Sequence, residues 1–367
     1  LKLTLRVVIV LAIKSPDTFH HHSGLRAETG KYIAALSNNI AIITSPNAWK
    51  AVNPELEKSL QANNIQYQIF FLEGECSEEA IASHTTQIKQ TGASLILGIG
   101  GGRVLDTAKA AGNRLEAVDV VTFPTIAATC AAWSPVSVIY NAEGGHTGHQ
   151  VLVRMPVLVL VDTEVIARSD VRYLKSGIVD ALAKWYEFQP YQQKNPDILA
   201  LNLKVAVATY AVDVFKQYGI QAVEDNRHQR VTLALAKVID ANIALAGLCN
   251  SMQDDYPAPG VAHAIHNRFT HQPELHGWLH GEKVGFGLLL QSILQNSGGE
   301  PDAELLALLQ QFDAPRKLPE LQGDRAETLQ SIAQQVIFAD QYKSRLPFVL
   351  TPSSLLSALQ QTESRHY

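Results

Sequence analysis

Cysteine and charge are both scarce in this chain of 367 residues. Cys76, Cys130 and Cys249 are isolated, with no CxxC pair, which excludes a disulfide framework and a zinc-ribbon pattern and points to a reducing, cytoplasmic setting. Charged residues make up only 18%, and 30 Lys and Arg stand against 35 Asp and Glu, for a net charge of −5 without any long basic run. A nucleic-acid surface is therefore not expected, although a local cationic pocket is compatible with these figures. Long apolar runs are missing too. The opening LKLTLRVVIVLAIKS is too short to span a bilayer, alternates like a strand, and is not followed by the small-residue pattern of a signal-peptide cleavage site, so no membrane segment is expected. Neither GxGxxG nor a phosphate-binding GKS/T sequence occurs.

What is present is apolar content of 46%, enough for two domains of ordinary size with filled cores. His20, His21 and His22 stand in a row, but three successive side chains cannot all face one ion, and a solvated loop is expected there. From Asn38 onward, strand-like and helix-like segments alternate. NIAIITSP, IQYQIFFLE, SLILGIG and DVVTFPT read as strands, ELEKSLQANN and VLDTAKAAGNRL as helices. SEEAIASHTTQIKQTG is a further helix, with Ser77 as its cap and Gly92 as its stop. That order predicts a mostly parallel, Rossmann-like α/β sheet covered by helices. After VLVLVD, ending at Asp162, long helical patterns take over. A boundary near Ala167 divides an α/β domain, 1–167, from an all-helical domain, 168–367, with a ligand cleft expected between them.

GIGGGRVLDTAKA places Gly100, Gly101 and Gly102 between a strand and the next helix. Such a turn aims backbone N–H groups and a helix N-terminus at a phosphate, though a tight structural turn uses the same residues. Asp106 is close enough to the helix start to anchor the loop, whereas Lys109 fits a surface or a functional role. FPTIAATCAAW follows the next strand, and Thr125, Thr129 and Ser134 are placed either to hydrogen-bond a ligand or simply to pack under the second domain.

The helical half carries a second signal. Five histidines fall between His263 and His280, out of 13 in the chain, and Asp180 lies far upstream in SGIVDALAKWYE. A helical VAHAIHN puts His263 and His266 on one face, and the loop that follows can return His280 beside them. One carboxylate and two imidazoles with an open fourth position suit catalytic Zn²⁺ or Fe²⁺. A core histidine, a capping histidine and a paired aspartate would account for the same residues. His271 and His276 are expected to be exposed in the intervening loop.

Taken together, GIGGGRVLDTAKA, FPTIAAT, SVIY, LVDTEVIA, SGIVDALAKWYE, HAIHNRFT and LHGEKVGFG resemble, in order and spacing from about Ile40 to Leu290, the glycerol dehydrogenase branch of the iron-containing alcohol dehydrogenase superfamily, which has the dehydroquinate synthase-like fold. The resemblance implies a metal-dependent enzyme that moves hydride between NAD or NADP and a small alcohol, polyol or ketone, and that assembles as a homo-oligomer, a dimer or larger. It implies that Gly100, Gly101, Gly102, Arg103 and Val104 hold the dinucleotide pyrophosphate. Thr125, Ile126, Ala128, Ser134, Val136 and Tyr140 would line the cofactor, and Asp180, His263 and His280 would bind the metal. His266 falls near an additional histidine that some members place beside the substrate.

Three departures stand out. Thr129-Cys130-Ala131-Ala132 replaces the family's TDAP, so Cys130 stands where a carboxylate would contact glycerol. Thr44-Ser45-Pro46 lacks the acid that accepts from the adenosine ribose, which admits NADP. Lys184, one helical turn after Asp180, is placed to pair with a substrate carboxylate or phosphate, or to form a surface ion pair. Two other functions fit the same resemblance: a dehydroquinate synthase-like lyase that uses bound NAD transiently, and a non-catalytic cofactor-binding protein.

Overall fold

The computed structural model describes residues 11–254, 258–365 and 367. Among the described residues ten strands run in chain order: β1 (Leu11–Ile13), β2 (Thr18–His22), β3 (Asn39–Thr44), β4 (Gln66–Phe71), β5 (Leu95–Gly100), β6 (Asp119–Pro124), β7 (Val136–Tyr140), β8 (His146–Val151), β9 (Leu158–Asp162) and β10 (Met252–Asp254). Six of them form one sheet in the order β2-β9-β6-β5-β3-β4, with every neighbouring pair parallel. β5 is buried along its whole length, as a strand covered on both faces must be. Because β4 lies on one side of β3 and β5 on the other, the chain reverses its winding there, which opens a crevice at the carboxyl ends of β3 and β5.

The first half contributes helices α1 (Thr29–Ala34), α2 (Pro46–Val52), α3 (Glu55–Ala62), α4 (Glu78–Thr91), α5 (Gly102–Arg114) and α6 (Thr163–Ala167). The expected caps of α4 are in place: the Ser77 side chain accepts from the Ala80 N–H, and Gly92 turns out of the helix at φ 67°. Beyond α6 come α7 (Val171–Lys194), α8 (Leu199–Arg227), α9 (Leu233–Asp240), α10 (Ala246–Ser251), α11 (Val261–Phe269) and α12 (His280–Gln295), with shorter helices after them. A π-helical turn, Ala241–Leu245, joins α9 to α10. Leu233–Ser251 is long and apolar enough to cross a membrane by length and composition, but 56% of its most apolar window is buried in the fold, as befits a core helix packed on α8.

Two local expectations need correction. His20–His22 is not a solvated loop but part of β2, paired with β9 at the sheet edge. Each imidazole has its own surroundings: His20 lies against the Tyr32 ring, while His21 joins Asp240 through Nδ1 at 2.7 Å and Thr163 Oγ1 through Nε2 at 2.9 Å. The second half is also not wholly helical, because β10 pairs antiparallel with β1. Residues 1–10 of the strand-like N-terminal run lie outside the described residues.

Candidate metal centre and dinucleotide cleft

Asp180 sits on α7, nearly three turns in from its Asp170 cap. α11 and α12 pack against each other and on α7, so His263 and His280 approach Asp180 from two further helices. Both Nε2 atoms lie 3.2 Å from Asp180 Oδ1, and one donor atom from each of the three residues falls within 4.8 Å of the others. The aspartate is 2% exposed. Burial acts to raise its carboxyl pKa, but Lys184, His280 and hydrogen bonds from both imidazoles outweigh this and hold it well below the ordinary carboxylate range.

Glu187 completes the arrangement. Its Oε2 lies 2.6 Å from His263 Nδ1 and its Oε1 accepts from the His263 backbone N–H at 2.9 Å. An anionic acceptor at Nδ1 keeps a proton there, so a cation that displaces the Nε2 proton now directed at Asp180 is offered the Nε2 lone pair, the tautomer a metal ligand requires. The donor chemistry therefore fits a divalent cation. Glu187 was not singled out from the sequence, although its position seven residues after Asp180 puts both on one helix face. His266 is buried beside this group, its ring centroid 4.2 Å from that of His280, and burial followed by the neighbouring histidines holds it well below its usual pKa. His271 and His276 are exposed, as expected.

The glycine turn ends β5 and opens α5, whose N-terminus has no side-chain cap among the described residues. Val104 Cβ would meet a Cβ on Gly100 at 2.8 Å, and Ile126 Cδ1 one on Gly101 at 2.9 Å, so the turn lies directly on its neighbours. Arg103 points outward to Glu75 at 2.9 Å. Lys109, left open by the sequence, is buried: its Nζ donates to Ser134 O at 3.0 Å and Val136 O at 2.7 Å and pairs with Asp106 at 2.9 Å. Asp106 also accepts from the Val138 N–H at 3.2 Å. This pair ties α5 to the loop entering β7, which supports the opposite wall.

A cleft of about 1710 Å³ joins the two regions. Of the residues picked out above as candidate ligands or contacts of metal, dinucleotide or substrate, Gly100 alone is absent from its walls. Cys130 lines it between Asp180 and the glycine turn, and burial pushes its thiol up to about 11, so the side chain there is neutral.

His146, on β8, also lines the cleft. Burial, then His149 and His271, push its imidazole pKa down to about 4 from 6.5. In the unfolded chain this group takes a proton near its ordinary pKa, so the stability it contributes at neutral pH is lost as pH falls from 6.5 towards 4. Relative to His146→Phe, the native chain should lose about 1 kcal/mol of unfolding free energy between about pH 7 and about pH 5, the partial exposure of the ring screening the rest, measured by urea titration.

Comparison with known proteins agrees with this geometry. Residues 16–163 match the family described as iron-containing alcohol dehydrogenase. Hydroxycarboxylate dehydrogenase A of Escherichia coli strain K12 is 37% identical over 298 residues, 79% of this chain and 80% of that protein. Glycerol dehydrogenase of Pseudomonas putida is 33% identical over 316 residues, 84% of this chain and 85% of that one. The crystal structure of a probable glycerol dehydrogenase from Sinorhizobium meliloti superposes with a TM-score of 0.84 at 25% identity, covering 96% of this chain and 98% of that chain. With three side chains able to hold one metal ion lining the same cleft as the glycine turn, the chain belongs to the glycerol dehydrogenase-like branch of the iron-containing alcohol dehydrogenases, as a metal-binding oxidoreductase.

Proposed function

We propose that the chain catalyses reversible hydride transfer between NAD or NADP and the carbinol carbon of a small alcohol or polyol. Residues 1–167 form the dinucleotide-binding domain and 168–367 the metal- and substrate-binding domain. The observation that carries this reading is the continuity of one cleft from the glycine turn to Asp180, His263 and His280.

Gly101 and Gly102 bring backbone N–H groups to the pyrophosphate, with Gly100 and Val104 shaping the turn beneath and Arg103 at its lip. Thr125, Ile126 and Ala128 lie along the dinucleotide, and Ser134, Val136 and Tyr140 face its nicotinamide half, their wall braced by Lys109. Asp180, His263 and His280 would hold the metal, with Glu187 orienting His263. A zinc or iron ion bound there supplies Lewis acidity that lowers the pKa of a coordinated hydroxyl. His266, a buried neutral imidazole beside His280, is placed to relay the proton that hydroxyl releases. Cys130 offers a small neutral wall where a charge-assisted contact to glycerol would be needed, which disfavours glycerol itself. At the end of β3, Ser45 caps α2 where the family's ribose-binding acid would stand, so both dinucleotides are accepted. The assembly is a homo-oligomer.

The direct test is a screen of small diols, hydroxyketones and sugar alcohols with both dinucleotides, read as formation of reduced nicotinamide. Turnover should vanish on chelation and return with added metal, and its absence from every combination would overturn the assignment. The glycine turn has its own test. A methyl group on Gly102 would lie 3.6 Å from Thr129 Oγ1 and 3.7 Å from Ala131 Cβ, ordinary contacts that the fold tolerates. Gly102→Ala is therefore expected to leave the thermal midpoint unchanged while raising the KM for the dinucleotide about tenfold, because the backbone loses its close approach to the pyrophosphate.

A further inference from the structure

Three buried lysines line the cleft among the described residues, and their partners differ. Lys184 is not a surface residue: its Nζ lies 3.6 Å from Asp180 Oδ1, an ion pair inside the metal centre. Lys204 sits 4.9 Å from the Phe188 ring centroid and feels Asp254. Lys283 is 7% exposed and, among the described residues, forms no ion pair; its hydrogen bond goes to the Trp278 carbonyl oxygen at 2.6 Å.

The carboxylates around Lys283 are committed elsewhere. Glu282, its neighbour on α12, accepts from Arg172 Nε at 2.6 Å, from Arg172 Nη2 at 2.7 Å and from the Leu279 N–H at 2.7 Å. Glu75, in the loop before α4, is held by Arg103 at 2.9 Å. Loss of water therefore outweighs the pull of these two acids, Arg172 adds repulsion, and the Lys283 ammonium is brought down to about 8 from 10.5.

Placement gives that change a use. α12 begins at His280, so Lys283 stands one turn along on the same face, and its Nζ reaches back toward the helix start to find Trp278 O. On the inner side, the buried His266 imidazole of α11 feels its charge. On the outer side, Glu75 connects it to Arg103, which is exposed at the lip of the cleft. An amine between the metal centre and the lip, with no carboxylate fixing its charge, can take up a proton from the interior and release it to water.

We propose that Lys283 is the final acceptor of the carbinol hydroxyl proton during alcohol oxidation, and the source of that proton in the reverse reduction. This rests on the hydride-transfer reading. The carbinol C–H bond breaks with its electron pair passing to the oxidised nicotinamide, the O–H electron pair becomes the second carbonyl bond, and the proton ends on the Lys283 amine, whose ammonium returns it to solvent. Oxidation therefore needs the neutral amine and should rise with pH through about 8, whereas reduction needs the ammonium and should fall over the same range.

The test uses the screened alcohol that the native enzyme oxidises fastest, with the native chain, Lys283→Met and Lys283→Arg. At about pH 8, Lys283→Met should lose about a hundredfold in kcat/KM, mostly through kcat, and added ethylamine should restore about tenfold while leaving the native enzyme unaffected. Lys283→Arg keeps a cation that cannot give up its proton at this pH, so it should be as slow as Lys283→Met. A second readout needs no turnover: competitive acetylation of the chelated protein with acetic anhydride, followed by peptide mass spectrometry, should show Lys283 half-reactive near about pH 8. Reactivity that appears only above about pH 10, the ordinary lysine range, overturns the proposal. So does a slow Lys283→Met that ethylamine leaves uncorrected alongside a fully active Lys283→Arg, which would make the lysine a positioning residue. Should Lys283→Met not fold, Lys283→Arg decides, and native turnover in it counts against the proposal while leaving hydride transfer intact. Failure of the native enzyme to oxidise any alcohol overturns hydride transfer, and the role of Lys283 with it.

Discussion

Asp180→Asn should strip the protein of its metal and lower kcat/KM by about 10³ or more, equivalent to about 4 kcal/mol of lost transition-state stabilisation. The amide keeps the shape of the side chain but not its charge, and charge is what the site is built around. Asp180 is the single acidic member of the convergent triad, with His263 Nε2 and His280 Nε2 each 3.2 Å from the same oxygen. The substitution also leaves Lys184 buried with its nearest carboxylate removed, so the thermal midpoint should drop. Elemental analysis of the purified variant, alongside turnover and circular dichroism, separates loss of metal from loss of fold. A folded Asp180→Asn protein that retains both metal and turnover would contradict the assignment. Glu187→Gln offers a graded comparison. It retains a hydrogen-bond acceptor for His263 Nδ1 but removes the charge that fixes the tautomer, and metal affinity should fall about 10–100-fold.

Why Asp180 was legible and Glu187 was not comes down to range and company. The Asp180, His263 and His280 stretches could be recognised by their order in the chain, even though 83 residues separate His263 from Asp180. Glu187 carries the same helical periodicity as Asp180, but a glutamate at that spacing is ordinary on any helix, and only the arrival of α11 gives it a partner. Lys109 is a similar case. Its burial depends on the loop that enters β7, 25 residues away, whose carbonyls replace the water a lysine would otherwise keep.

The same reasoning explains where the sequence misled. β2 reads as THR-PHE followed by three histidines, too polar for a strand judged by its own composition. It is a strand because β9 supplies its ladder, and because Asp240, 219 residues further on, takes His21. By contrast, the alternating segments from β3 to β6 were plain, since each combines a run of apolar residues with its own turn or cap and owes little to distant neighbours. Local chemistry was readable, whereas pairing between the two halves had to await the structure.

That pairing has a point of least tolerance at Gly177. It lies on α7 three residues before Asp180, and a Cβ there would fall 1.9 Å from the Ala127 carbonyl oxygen and 2.4 Å from Asn242 Nδ2. Neither neighbour is free to move. The Ala127 carbonyl accepts from Asn242 Nδ2 at 2.9 Å, and the same amide donates to Leu174 O at 3.3 Å, which pins the loop after β6 to α7 and to the π-helical turn. Gly177→Ala must therefore push the cofactor-side loop away from the helix that carries the metal-binding aspartate. We expect it to cost about 3 kcal/mol or more of unfolding free energy and, in whatever folded protein remains, to weaken dinucleotide and metal binding together. Gly277→Ala is the matching control: its Cβ would meet nothing within 4 Å, and its effect should stay within about 0.5 kcal/mol. Denaturant titrations of both variants, with dinucleotide affinity and metal content measured on the same preparations, decide the matter. If Gly177→Ala were as stable as Gly277→Ala and bound both ligands normally, the close contact between α7 and the loop would not be what aligns the two halves of the cleft.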